Sequence, residues 1–247
     1  MKKKLLWISY LAPYDKVSHA GGKVHNYQIK KFNFSKKFDI RLVSFCYPEE
    51  EEKLDISSYG IENYVFSIPH EKPFGFKWWN RIEMLWGKGS CMSSLDYIRR
   101  NKLLKLLHQY IDEGYCPDVI FLQWTEIIML IEDIQKIFPN VKIVVIEEDV
   151  WYLTRKRLYE QSKGLNKIYR KWSFQKVKYN ELSALNKADL IILNNPKDQK
   201  LIIKDGLNKK DSMVVTPYFE NMFEVERNNI NNDILYYGAM GRYINDV

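Results

Sequence analysis

The sequence predicts an α/β fold: a Rossmann-like parallel sheet with helices on both faces. Three observations predict it. Seven short apolar runs alternate with longer segments of helical spacing. The runs lack the polar alternation of a half-exposed strand, so both of their faces are buried. The chain, at 247 residues with 46% apolar and 28% charged residues, is large enough for a substantial core and has an ordinary globular composition.

Residues 5–10 (LLWISY) form the first expected strand, which Pro13 stops. Gly21 and Gly22 follow a short loop, and residues 23–37 have helical spacing of Val24, Tyr27, Ile29 and Phe32. Strands two and three are expected at 40–45 and 64–68, with the acidic stretch 49–53 as a loop or helix start between them. Residues 70–94, with Trp78, Trp79 and Trp86 among prolines and glycines, read as a long irregular loop. A helix over 95–113 leads to strand four at 119–123; a helix over 127–138 leads to strand five at 142–146. Residues 151–187 are helical with a break near Gly164, followed by strand six at 190–193, a helix at 196–205 and strand seven at 212–215. A domain of residues 1–225 is expected to end in a polar linker. Residues 226–247 then read as that linker and the first strand and glycine turn of a second, truncated domain.

The bulk numbers exclude several classes. The lysine-rich start is followed by too short an apolar run, and no small-residue cleavage site, for a signal peptide. No stretch has the length of a membrane-spanning helix. Cys46, Cys91 and Cys116 have neither metal nor disulfide spacing, which fits a reducing cytoplasm. The net charge of +7 leaves phosphorylated substrates, anionic lipid and nucleic acid as partners, but no nucleic-acid motif is present and none is expected to bind. The four histidines show no metal spacing and no metal is expected; His108 reads as structural.

In a parallel sheet covered on both faces, ligands bind at the carboxyl ends of the strands. That selects the loops after Tyr10, Gln123, Ile146 and Leu193. Gly21 and Gly22, at a helix start after strand one, leave room for a phosphate near free N–H groups, with Lys23 and His25 adding charge; the alternative is an ordinary flexible loop. Glu147, Glu148 and Asp149 follow strand five. Crowded carboxylates repel, so at least one should hold its proton near neutral pH and act as general acid or base. Asp149 is the plausible helix cap, leaving Glu148 or Glu147 for chemistry. The basic, aromatic stretch 151–179, with Trp151, Arg155 and Arg157, reads as an acceptor or membrane contact, to which Lys23, His25 and Asp149 also contribute, or else as a solvated face over an aromatic core.

Several ordered segments resemble the family 4 glycosyltransferases, a GT-B group that uses nucleotide sugars. They are strand one with Gly21-Gly22 and its helix; PDVIFLQW at 117–124; VVIEEDV at 144–150; ELSAL at 181–185 before ADLI; NNPKD at 194–198; VVTP at 214–217; and ILYYGAM at 234–240. The order and spacing match that family's first domain over nearly the whole chain. The resemblance implies the N-terminal, acceptor-side half of a GT-B fold, with the donor's phosphates approached by Gly21 and Gly22 and, from the second domain, by Gly238 and Arg242. It implies a nucleotide-sugar substrate, a saccharide or lipid-linked acceptor, no metal or other cofactor, and usually retention of configuration. It places the protein in cell-surface polysaccharide or glycolipid synthesis, in the cytoplasm or at the inner face of the membrane. Glu148 stands where many members carry a histidine facing the donor sugar. The donor-binding Glu-x7-Glu segment has no counterpart here, so this chain alone is expected to be inactive or nearly so. The other reading is a non-catalytic acceptor-binding or membrane-recruiting subunit that completes its cleft with a separate donor-binding chain.

Overall fold

The computed structural model describes residues 2–69, 78, 95–208 and 212–217. Seven strands form one sheet: β1 (Lys3–Ser9), β2 (Phe38–Cys46), β3 (Glu62–Ser67), β4 (Val119–Gln123), β5 (Lys142–Glu147), β6 (Leu190–Leu193) and β7 (Ser212–Val214). Their order is β3-β2-β1-β4-β5-β6-β7 and every pairing is parallel. All seven expected strands are present. The expected second-domain segment, the domain boundary at 225/226, Gly238 and Arg242 lie outside the described residues, as does nearly all of the 70–94 loop.

Helices cover both faces, as buried strands require. On one face α1 (Ala20–Phe34) and a 3-10 turn (Ile56–Tyr59) pack over Leu5, Trp7, Leu42, Phe121, Val144 and Ile146. On the other lie α3 (Tyr97–Asp112), α4 (Thr125–Ile128), α5 (Ile131–Ile137), α7 (Gly164–Leu185) and α8 (Pro196–Lys204), over Leu6, Ile8, Ile120, Leu122, Ile143 and Val145. The alternation of these core residues along β1, β4 and β5 is the period-two pleat. Short α2 (Pro48–Glu51) occupies the acidic stretch, and α6 (Trp151–Glu160) precedes α7. Two acids tie strand starts together. Asp118 accepts from the Lys4 N–H at 2.6 Å, and Asp189 accepts from the Ile143 N–H at 2.9 Å while pairing with Lys142.

Two boundaries differ from the sequence reading. First, α1 begins at Ala20, so Gly21 and Gly22 lie in its first turn and not before it. The cause is His19, whose Nδ1 accepts the Gly22 N–H at 3.0 Å and caps the helix. Second, the helix expected at 127–138 is two, α4 and α5. The expected break near Gly164 is present: it separates α6 from α7, and Gly164 takes the left-handed φ of 58° there.

Candidate functional site

Parallel pairing brings the carboxyl ends of all strands to one rim. The sheet order reverses direction at β1, with α1 leaving for one face and α4 for the other; such a switch point opens a crevice at the rim. The turns after Tyr10 and Ile146 therefore share one side of the sheet.

Four strands contribute to a polar chain along this rim. Trp7 of β1, fully buried, donates its indole N–H to Gln123 Oε1 of β4 at 2.9 Å. That bond fixes the orientation of the Gln123 amide, whose Nε2 donates to Glu148 Oε1 at 2.6 Å. Asn194, just past β6, donates Nδ2 to Glu148 Oε2, also at 2.6 Å. Both oxygens of the carboxylate are thus gripped by neutral amides, with the side chain half-buried at the mouth of the sheet. Burial raises the Glu148 pKa and Asp149 adds to the rise, while the two amide bonds hold it down. The result is a fixed carboxylate of increased basicity with no cation among its hydrogen-bond partners.

Glu147, one residue earlier, has a different fate. It is the last residue of β5 and lies on the Ile143 and Val145 face, under α7. Only 1% of it is exposed; Thr125 donates to its Oε1, and Oε2 has no hydrogen-bond partner. Burial raises its pKa well above the ordinary carboxylate value, and Glu181, Glu126 and Asp149 add to the rise. Glu181, on α7 and fully buried, accepts the N–H groups of Trp151 and Tyr152 at 2.9 Å each. Burial pushes its pKa up to about 8 against those two bonds.

Glu181 therefore corrects one expectation. Asp149 does not cap the following helix: the cap residue of α6 is Val150, with no side-chain bond of its own, and the distant Glu181 carboxylate satisfies the first N–H groups. Asp149 is exposed.

A second correction concerns His25. It is wholly buried between Trp7 and Trp124, with ring centroids 5.4 and 5.2 Å away. Desolvation lowers its pKa to about 3; the Leu11 carbonyl opposes this but is too poorly placed to make a full hydrogen bond, and His19 adds to the lowering. A neutral core imidazole cannot touch an acceptor or a membrane. The inward stripe of α1, Gly22, His25, Asn26 and Ile29, placed it there.

The two glycines serve different ends. A Cβ on Gly22 would stand 2.4 Å from Val17 Cγ2 and 2.7 Å from His19 Cε1, so Gly22 is needed for the cap to close over it. A Cβ on Gly21 would meet the Trp124 indole at 3.7 Å and His19 Nδ1 at 3.9 Å, both ordinary contacts. Trp124 itself has φ of 70°, a strained conformation for a bulky residue, and follows Gln123 directly. Gly21 is thereby linked to Glu148 through Trp124 and Gln123. Lys23 is exposed beside them.

Of the remaining candidates, Trp151 packs partly on the core with Arg155 over its ring at 5.5 Å, and burial lowers the Arg155 pKa. Arg157 is exposed. Among the described residues no group of three or more histidine, cysteine or acidic side chains is placed to hold a metal ion, and no helix is long and apolar enough to cross a membrane. A cleft of about 620 Å³ lies between α3, α5 and α7, away from the rim. Its cations Arg100 and Lys187 already pair with Asp133 and Glu132.

No protein-family model matches the sequence, and no curated protein sequence does. Among solved structures the chain is similar to Anabaena HepE in complex with UDP and glucose, at 14% identity and a TM-score of 0.50 over 88% of this chain and 45% of HepE. It is also similar to the N-terminal domain of Candida albicans trehalose-6-phosphate phosphatase, at 14% identity and a TM-score of 0.50 over 87% of this chain and 48% of that one. The chain spans less than half the length of each of these two structures. At such identities the likeness is one of fold: a Rossmann-like parallel sheet covered by helices.

Proposed function

We propose that this chain is the acceptor-side half of a GT-B-type glycosyltransferase, which moves a sugar from a nucleotide-sugar donor to a hydroxyl of a saccharide or lipid-linked acceptor. The observation that carries the reading is the Glu148 carboxylate, fixed at the carboxyl rim by Gln123 and Asn194 and made more basic by burial. In the reaction the acceptor oxygen forms a bond to the anomeric carbon, the bond from that carbon to the diphosphate oxygen breaks, and Glu148 receives the hydroxyl proton. The first turn of α1 at Gly21 and Gly22 faces the departing diphosphate, where the helix dipole offsets its charge. Gly238 and Arg242 join from the second domain, which also supplies the nucleotide site. HepE, whose structure holds UDP and glucose, lends the same reading support through its fold. The product belongs to cell-surface polysaccharide or glycolipid, made on the cytoplasmic side with the protein in contact with anionic membrane.

The test is a panel of nucleotide sugars with the full-length gene product. Glu148→Gln keeps one acceptor oxygen and loses the base, so kcat should fall by about 100-fold or more. An unchanged rate overturns the assignment of Glu148.

A further inference from the structure

The chain's positive charge is concentrated in one place. Between Trp151 and Asn180 there are nine lysines and arginines against one acid, Glu160, a surplus of eight. The net charge of the whole chain is +7, so the rest of the chain carries one more acid than base. The surplus resides on a helical hairpin. α6 leaves the rim at Trp151, and α7 returns antiparallel against it, with Tyr159 stacked on Phe174 and Glu181 meeting Trp151 and Tyr152. Seventeen residues of α7 separate Gly164 from Glu181, about 25 Å of helix.

The end of this hairpin departs from the usual distribution of apolar surface. Residues 163–169 are all exposed, and among them are Leu165 at 85%, Ile168 at 68% and Tyr169 at 52%. The stripe continues at helical spacing through Trp172 and Lys176 to the exposed Tyr179, opposite the buried Ser173, Val177, Glu181 and Ala184. α7 thus has an inner face that packs and, at its N-terminal end, large apolar side chains turned to solvent, while Trp172 further along packs partly on the core. Lys163, Lys167 and Lys171 stand exposed beside this tip.

We infer that the α6–α7 tip docks on an anionic lipid surface, with Leu165 and Ile168 entering the acyl boundary, Tyr169 at headgroup level and the lysines on lipid phosphates. The composition decides between occupants. Leu165, Ile168 and Tyr169 expose far less than the about 800 Å² per partner that a stable protein interface takes. An apolar tip ringed by lysines that can extend toward headgroups is the pattern of interfacial binding. The inference deepens the membrane contact proposed above by naming the surface, and it is independent of the transfer chemistry. The hairpin is rooted at the same rim as Glu148, so docking would hold that rim facing the lipid.

Co-sedimentation with vesicles needs no donor or acceptor and so separates this inference from the catalytic one. The 247-residue chain should bind vesicles of phosphatidylcholine with about one-third phosphatidylglycerol at least ten-fold more tightly than phosphatidylcholine alone, since each lysine near the surface contributes about five-fold. L165D/I168D and, separately, K167E/K171E should each lose at least ten-fold in partitioning with unchanged circular dichroism, because none of the four is buried. Equal binding of the unaltered chain to both vesicles, or full binding by L165D/I168D, overturns the inference. So does a dimer in solution that L165D/I168D dissolves while the unaltered chain ignores lipid; the tip would then belong to a second copy.

Discussion

Raising the pH from 6.5 to 8 should destabilise the fold, and Glu147→Gln should remove part of that loss. Glu147 and Glu181 are both buried; burial raises the pKa of each, Glu181 adds to the rise at Glu147, and Glu126 adds to the rise at Glu181. Glu181 titrates at about 8 when folded, against 4.5 for an ordinary glutamate. Between those values the native state binds more protons than the unfolded chain, so stability falls as pH rises. His25 acts in the opposite sense. Its pKa of about 3 lies below the ordinary 6.5, so the unfolded chain binds the extra proton there and stability rises with pH up to 6.5. From 4.5 to 6.5 the two slopes oppose each other; above 6.5 only the carboxyl slope remains. One proton is worth about 1.4 kcal/mol per pH unit, so Glu181 alone should cost about 2 kcal/mol by pH 8, and Glu147, whose proton the fold also retains, adds a slope of the same sign. For a chain of this size that is a fall in Tm of about 4–8 °C. Glu147→Gln keeps an oxygen for Thr125 and removes the neighbouring charge, leaving Glu181 to ionise against two N–H groups. Thermal unfolding followed by circular dichroism at pH 6.5, 7.25 and 8 checks this. A Tm that is flat or rising in the parent chain, or a fall as steep in Glu147→Gln, refutes the reasoning.

Three further outcomes follow from the same geometry. His25→Phe fills the same aromatic nest without a titratable group, so the decline in Tm as pH falls from 6.5 towards 3 should shrink, readable in the same unfolding experiment. Gly21→Ala should leave Tm within about 2 °C, because its Cβ meets only ordinary contacts, whereas Gly22→Ala must displace the His19 cap and should cost about 1–2 kcal/mol in urea unfolding. A loss of turnover in Gly21→Ala at unchanged Tm would then bear on the proposed donor-phosphate contact and not on the fold. Glu181→Ala strands two buried N–H groups at about 1–3 kcal/mol each, so it should destabilise at pH 6 as well as at pH 8, unlike Glu147→Gln.

The strands were legible because their signal is local. Runs such as LLWIS and KIVVIE are apolar at successive positions, and burial on both faces leaves no other pattern for them to show. Glu148 was legible for the same reason: its place after an apolar strand puts it at the rim. Its clamp was not. Gln123 and Asn194 lie 25 and 46 residues away, and nothing in either short segment announces a bond to Glu148. The α6 cap was misassigned to Asp149 because local capping rules look within a turn, while the carboxylate that arrives comes from residue 181 across a helical hairpin. His25 was read as a charge near the glycines because the helix start was placed at residue 23; with the true start at Ala20 it shares the inward stripe with Gly22 and Ile29. The signal available was that stripe, a spacing of three and four that includes the histidine.

Glu147 and Glu148 show how little separates an acid buried under a helix from one held at the rim. They are identical in type and adjacent in sequence. The pleat of β5 sends Glu147 to the helical face, under α7, where desolvation favours the neutral form and a second acid opposes ionisation. Glu148 lies one step further, beyond the last hydrogen-bonded pair of β5 and β6, Glu147 with Leu193. There the sheet ends, and the side chain meets amides that come from the ends of the two flanking strands. Neutral donors on both oxygens orient the carboxylate without a cation, which suits the proton transfer proposed for it; a lysine or arginine in either place would have lowered its basicity. The division of labour thus arises from the length of one strand. Were β5 one residue longer, Glu148 would enter the sheet, and the rim would present Asp149, whose shorter side chain does not reach as far towards Gln123 and Asn194.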